Sequence, residues 1–463
     1  VLGPLRERAR VVLAGPGLEP SGPGPIDLPA IDPPPAPPAA VASTVPGADL
    51  DRTLPSGMRV LVGREPGAQV TGIHVLVRDR AAREPDGLGG ISDVLHRMLP
   101  NGTKLSDRAQ IASRLERIGA DLKTADSDFI PYDDYYTGPS HGFVRLEVPS
   151  DGWLAALDLL AEILRAPRLE DGDLASLLPA RVMRAEQQAG SPSVVGSSTY
   201  TTVMIGDAHP SARPVSGTPE SLGRVDGEAV RGLARSYLAP EGMVLSVVGP
   251  QEPEDVLGAI AERFPTEPAG ATWTPAPAWS PTAAGGDPVV VELGAEQSRL
   301  YLGRIADTPP GDRAALRVLA AVLSDRLARS VREDLGIAYA VGASASVAAS
   351  PDLGWLTIQV GTRPENLDTA RDAIRTELER LRAGMAPQEE IDRVRAERRG
   401  RSLMRRMSAI NRARSLGLRA FRGVASADDV DALDAMDAVS RDDLVRLADT
   451  WLDPDGFRVV ITR

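Results

Sequence analysis

The sequence predicts an α+β protein of two similar domains in tandem, each a mixed or antiparallel sheet covered by helices. Three observations lead there. Strand-like runs sit in close pairs and alternate irregularly with amphipathic helices, unlike the regular strand–helix alternation of a doubly wound parallel sheet. A stretch rich in Pro, Gly, Ala and Thr over 266–286 separates two halves of domain size. The order of elements before that stretch recurs after it, as a duplication would leave it.

In the first half, over 49–265, Arg59–Val62 and Thr71–Val77 carry the β-branched runs of strands, and Gly90–Leu99 places Ile91, Val94, Leu95, Met98 and Leu99 on one helical face. Trp153–Leu164 and Asp173–Gln188 continue as helices, and Met243–Val248 reads as a buried strand. In the second half, over 287–463, Pro288–Leu293 and Ser298–Leu302 are strand-like and Asp312–Ser330 is a long amphipathic helix. Gly354–Val360 is a strand, Glu365–Gly384 and Pro387–Met407 are charge-rich helices, and Phe457–Ile461 is a closing strand. Residues 1–48 include Pro33, Pro34, Pro35, Pro37 and Pro38, a composition that forms neither helix nor sheet and reads as a disordered, polyproline-like tail. Such a tether, on a chain starting at Val1 rather than Met, favours an exported (periplasmic or extracellular) protein over a cytoplasmic one.

Composition narrows the function. A chain of 463 residues with 42% hydrophobic and 25% charged residues is globular, and it lacks any apolar run long enough to span a bilayer. The net charge of -12 argues against nucleic acid or anionic membrane as the main partner. Without cysteine there are no disulfides and no thiolate metal sites, and four histidines leave few imidazole ligands. No P-loop, nucleophile elbow or dinucleotide fingerprint is visible, and Gly87-Leu-Gly-Gly90 is a turn before a helix rather than a phosphate cradle.

Four stretches carry a family likeness. They are Gly90-Ile-Ser-Asp-Val-Leu-His-Arg-Met-Leu-Pro-Asn-Gly-Thr103; His209-Pro-Ser-Ala-Arg-Pro-Val-Ser-Gly-Thr218 with Tyr237-Leu-Ala-Pro240 and Val247-Val-Gly249; Ser324-Asp-Arg-Leu-Ala-Arg-Ser-Val-Arg-Glu-Asp-Leu-Gly-Ile-Ala-Tyr339; and Asp121–Tyr136. In order and spacing over residues 52–463 they resemble the insulinase/pitrilysin-like metallopeptidases of the mitochondrial-processing-peptidase type. In active members, two histidines four apart on a helix bind zinc and the glutamate between them activates water. The resemblance puts Asp93 and Arg97 at the two histidine positions and His96 at the glutamate.

Arginine cannot ligate a metal, because its guanidinium stays protonated. A fixed positive charge about 4 Å from a dication costs about 8 kcal/mol even at an effective dielectric of 20. The third ligand position falls within Ala175-Ser-Leu-Leu-Pro-Ala-Arg181, where there is no carboxylate and Pro179 interrupts the helix pattern. The degenerate motif therefore implies that this chain binds no metal. A structural role competes for the same residues: Asp93 and Arg97, acid first at i and i+4, make a helix-surface pair of about 0.2–0.5 kcal/mol. His96 alone reads as solvent-facing or interfacial, His74 and His141 as strand-borne structural residues, and His209 as part of a turn.

The second-half signature is intact, and Arg332 and Tyr339 match the pair that the family directs toward the active site. A phenol can donate to an oxyanion and a guanidinium can anchor backbone carbonyls. The structural alternative has Arg332 capping a helix C-terminus and Tyr339 filling a sheet face. The resemblance implies the zinc-free subunit of a metalloendopeptidase heterodimer, inactive alone. It would bind peptide along an edge strand near 121–128 by β-augmentation and lend Arg332 and Tyr339 to a site whose zinc sits in a homologous partner chain. The rival is a catalytically inert scaffold or binding subunit of the same descent.

Overall fold

Alternation of side chains builds two sheets, each with one face on its own helices and the other on a helix of the opposite half. The structure is a computed structural model that describes residues 45, 47–127, 137–265, 274–283, 285–346, 353–422 and 433–463; both sheets belong to one compact unit within Val41–Arg463. The first half holds β1 (Leu50–Thr53), β2 (Arg59–Arg64), β3 (Val70–Arg78), β4 (Asp121–Lys123), β5 (His141–Pro149) and β6 (Met243–Gly249). Its helices are α1 (Ile91–Met98), α2 (Arg108–Ile118), α3 (Trp153–Arg165), α4 (Asp171–Ala189), α5 (Pro192–Ile205), α6 (Pro219–Leu222), α7 (Gly227–Tyr237) and α8 (Pro253–Arg263). The second half holds β7 (Val289–Val291), β8 (Ser298–Asp307), β9 (Ala338–Ser346), β10 (Leu353–Thr362) and β11 (Arg458–Thr462). It adds α9 (Arg313–Leu327), α10 (Leu367–Arg382), α11 (Gln388–Arg405), α12 (Ala409–Arg422), α13 (Leu433–Asp437) and α14 (Arg441–Trp451).

The first sheet runs β1-β2-β6-β3-β5-β4 and the second β7-β11-β8-β10-β9. Each contains one parallel pair, β2 with β6 and β7 with β11, and is otherwise antiparallel. The two orders superimpose when β1 is set aside, so that β4 and β9 become counterpart edge strands. This is the duplicated architecture expected.

Ile73, Val75 and Val77 of β3 face the core formed with α1, α3 and α7. Leu76, from the opposite face, packs with Ala413, Leu416 and Ala420 of α12, a helix from the second half. Reciprocally, Tyr200 and Met204 of α5 pack on Tyr301, Ile305 and Val460 of the second sheet, while Leu300 and Leu302 face α9 and α10. Glycine permits both approaches: a Cβ at Gly72 would sit 2.5 Å from the Ile410 nitrogen, and one at Gly196 would sit 2.7 Å from the Tyr301 ring.

Three expectations need correction. Pro179 lies inside the continuous helix α4 instead of interrupting it; one lost backbone bond is tolerated where Leu174, Arg181 and Ala185 are buried along the same helix. Strand β8 extends to Asp307 because its full length pairs with β10. The long helix ends at Leu327 and continues as a wider π-helical turn over Ala328–Asp334.

Candidate functional site

Helix α1 starts at Gly90, whose φ of 88° and close backbone approach to Gly217 both require glycine. Its free N–H groups are met by a buried carboxylate: Gly90 N donates to Glu84 at 3.1 Å, and the Ser92 hydroxyl also donates to it. Arg80 balances that charge at 3.4 Å, with both side chains 1% exposed. Ile91, Val94, Leu95 and Met98 bury the apolar face in the first core. The face left over presents Asp93, His96 and Arg97.

Asp93 Oδ2 accepts from Arg97 Nε at 2.9 Å and pairs with an Arg181 terminal nitrogen at 3.0 Å. The side chains of Asp93, Arg97 and Arg181 are 8%, 17% and 5% exposed. The Asp93–Arg97 pair is therefore a buried ionic cluster, not the helix-surface pair expected, and Arg181 is the member that sequence reasoning missed. The only signal for it was a cation in the stretch where a carboxylate was sought. Arg97 also donates to the Asp126 carbonyl at 3.0 Å, tying α1 to the chain that follows β4.

His96 is buried, neither solvent-facing nor interfacial. Its Nδ1 lies 3.0 Å from the Thr124 carbonyl and its Nε2 lies 3.2 Å from the Tyr237 hydroxyl. A carbonyl only accepts, so Nδ1 carries the hydrogen and the Nε2 lone pair receives the phenol O–H. Burial, with the nearby Arg80 charge, lowers its pKa to about 4, so the ring is neutral near pH 7. Tyr237 also receives the Arg83 guanidinium over its ring at 5.1 Å. Among the described residues no three His, Asp or Glu side chains gather where they could hold a metal ion.

The other histidines take structural places. His74 is buried in β3 and stacks on Phe143 at 6.2 Å; its pKa is well below the usual value, mainly through burial. His141 opens β5, with Nδ1 3.0 Å from the Ser140 hydroxyl. His209 caps its turn by accepting from Ser211 N and reaches the Pro277 carbonyl with Nε2, each at 3.0 Å.

Arg332 sits in the π-helical turn and is half exposed, 3.5 Å from Glu333. Tyr339, the second residue of the edge strand β9, is 47% exposed, with the Arg299 guanidinium 5.0 Å from its ring centre. A Cβ at Gly361 would lie 2.6 Å from Tyr339 Cζ, so the ring lies flat across β10 where no side chain intervenes. The structure thus gathers Arg299, Tyr339 and Gly361 on the second half, and Asp93, Arg97 and Arg181 on the first. Of the edge strand expected near 121–128 only Asp121–Lys123 forms a strand, β4, paired only with β5 among the described residues, and 124–127 follow it outside any strand; residues 128–136 lie outside the described ones, as do 347–350 beyond β9.

Residues 59–207 match the family model described as Insulinase (Peptidase family M16), and residues 224–398 match Peptidase M16 inactive domain. The chain belongs to this insulinase family. It is 24% identical to an uncharacterized zinc protease of Mycobacterium leprae, over 67% of this chain and 68% of that one. It is also 24% identical to the uncharacterized zinc protease YmxG of Bacillus subtilis, over 75% and 82%. Among solved structures, a protease from Helicobacter pylori shares the fold with a TM-score of 0.78 at 17% identity, covering 90% of this chain and 100% of that one. The peptidase M16 inactive domain from Pseudomonas fluorescens gives 0.76 at 18%, covering 89% and 97%. The first half of the periplasmic protease PqqL from Escherichia coli gives 0.66 at 14%, covering 92% and 93%.

Proposed function

We propose that this chain is a zinc-free, inactive-alone subunit of a heterodimeric insulinase-family metallopeptidase. In this role it binds peptide along the β4 edge and lends Arg332 and Tyr339 to a site whose zinc is held by a homologous partner. The observation that carries the proposal is the Asp93 carboxylate bonded at 2.9 and 3.0 Å by the guanidiniums of the partly buried Arg97 and the buried Arg181, where the family places its metal ligands. Those residues do not fit zinc. The one carboxylate is already neutralised, the His96 lone pair is taken by Tyr237, and two fixed cations occupy the space.

Partial exposure of Arg332 and Tyr339 supports a role toward a bound chain. A guanidinium there anchors peptide carbonyls and a phenol O–H meets a developing oxyanion. In the partner, zinc would supply the activated water.

The test is purification alone and with a homologous chain bearing an intact His-x-x-Glu-His, measuring bound zinc and cleavage of a peptide library. The expected result is cleavage only by the pair. Arg332→Ala and Tyr339→Phe should each lower kcat/KM of the pair by tenfold or more. Unchanged rates in both variants favour the inert scaffold, and zinc-dependent cleavage by the isolated chain overturns the proposal. We also propose an exported location. A periplasmic protease among the similar folds supports it; among the described residues no helix is long and apolar enough to cross a membrane. Fractionation of the native cells checks it.

A further inference from the structure

A cavity of about 890 Å³ opens between the halves, a size that holds a drug-sized ligand or a few peptide residues. Ala185, Val194 and Ser198 of α4 and α5 form one side, and Ser344 of β9 and Thr357 of β10 face them. Aromatic rings close it. Trp279 meets Trp355 edge-on at 5.1 Å, and the Tyr200 hydroxyl receives Trp355 Nε1 at 2.6 Å while lying 2.7 Å from Thr357 Oγ1. Tyr200, Trp355 and Thr357 are tied together by these hydrogen bonds, whereas Trp279 joins the wall by ring packing, its buried Nε1 without a hydrogen-bond partner among the described residues.

The charge pattern is the more selective feature. Among the described lining residues there is no Asp, Glu, Lys or His. The single cation, Arg213, is committed to the Glu84 carbonyl at 3.1 Å and the Asp86 carboxylate at 2.8 Å. A charged group entering here would lose hydration without gaining a counterion, whereas a neutral ring would stack on indole and phenol faces. The wall of α4 also continues from the ionic cluster, since Ala185 follows Arg181 by one helical turn.

We infer that this cavity is a specificity subsite for a short uncharged stretch of a bound peptide carrying a bulky aromatic side chain. The inference rests on the peptide-binding role proposed above and adds to it which sequences are taken. N-phenyl-1-naphthylamine, a neutral dye, is titrated into the full chain, with energy transfer from tryptophan as the signal. Capped Ala-Ala-Phe-Ala-Ala and Ala-Ala-Asp-Ala-Ala peptides then compete. Ser344, exposed on the cavity wall, is changed to Phe to fill the space, to Asp to charge it, and to Ala as a control.

The expected result is dye binding that weakens at least tenfold in S344F and S344D and persists in S344A, with displacement by the Phe peptide alone. Equal dye and Phe-peptide binding to all four proteins overturns the inference. So does equal competition by the Asp peptide. Dye binding in the cavity that no peptide displaces also overturns it and makes the occupant a free small molecule. A chain that binds peptide through the β4 edge yet leaves the cavity empty loses the subsite but keeps the proposed function. A chain that binds no peptide loses both.

Discussion

Removing the Asp93 carboxylate is the sharpest probe of the first-half site. In Asp93→Ala, Arg97 and Arg181 keep their positive charges with no anion between them. Their nitrogens lie 2.9 and 3.0 Å from the same oxygen, so they are at most about 6 Å apart. At an effective dielectric of 20 their bare repulsion is about 3 kcal/mol. With Arg181 only 5% exposed, breaking a buried pair of this kind costs roughly 3–5 kcal/mol in total. Arg97→Ala leaves Asp93 paired with Arg181 and removes a side chain that is 17% exposed, so roughly 1–2 kcal/mol is expected. With Arg181→Ala as the other single variant, the Asp93→Ala/Arg181→Ala double variant should recover part of the loss, with a coupling energy of roughly 2 kcal/mol. Urea denaturation followed by circular dichroism measures all four. Should Asp93→Ala shift the unfolding free energy by less than about 0.5 kcal/mol, like an ordinary surface change, the electrostatic argument is wrong.

The same geometry makes a zinc graft specific. Asp93→His, His96→Glu and Arg97→His should not capture stoichiometric zinc until Arg181→Glu is added, as read by atomic absorption, and zinc in the triple variant refutes the role given to Arg181. Stability should fall with acid through His96. Its folded pKa of about 4 lies below its ordinary 6.5, so the unfolded chain binds the extra proton between those values. About 3 kcal/mol should be lost as pH falls from 6.5 toward 4, and His96→Gln, which can keep both hydrogen bonds, should flatten that slope. Gly72→Ala forces a methyl into the backbone of α12 and should cost several kcal/mol in the same denaturation assay, whereas Gly258→Ala, inside α8 where the added atom meets nothing, should stabilise by up to about 1 kcal/mol.

What the sequence made legible follows the range of the interactions. Strands β2, β3 and β6 and helices α1, α3 and α4 declare themselves through local periodicity, and the family pattern locates Asp93, His96, Arg97, Arg332 and Tyr339. The partners of those residues were not legible. Arg181 reaches Asp93 across two helices, Tyr237 reaches His96 from far along the chain, and Trp279 meets Trp355 only after the halves close. No local spacing encodes such meetings. The exchange of α5 and α12 was hidden for the same reason: α12 is amphipathic, but nothing in its pattern says that its apolar face belongs to β3 and β6 rather than to its own sheet.

That exchange bears on how the proposed labour could be divided. Because each sheet is capped by a helix of the other half, separating the halves would strip Leu76, Phe143 and Val244 from α12 and Tyr301 and Val460 from α5. At roughly 1.5–3 kcal/mol for each large apolar side chain exposed, a hinge between bare halves is too costly to serve as an opening motion. A peptide bound in the proposed role would then enter by an edge that is already open. Among the described residues the sheet orders leave β1, β4, β7 and β9 at their edges, and of these β4 and β9 are the counterpart pair flanking the hairpin partners β5 and β10. The β4 edge lies beside a helix whose chemistry is sealed by two guanidiniums, while β9 carries near its start a Tyr339 that is still half exposed. Any chemistry this chain lends to another is therefore expected from the second half, with the first serving to hold the peptide.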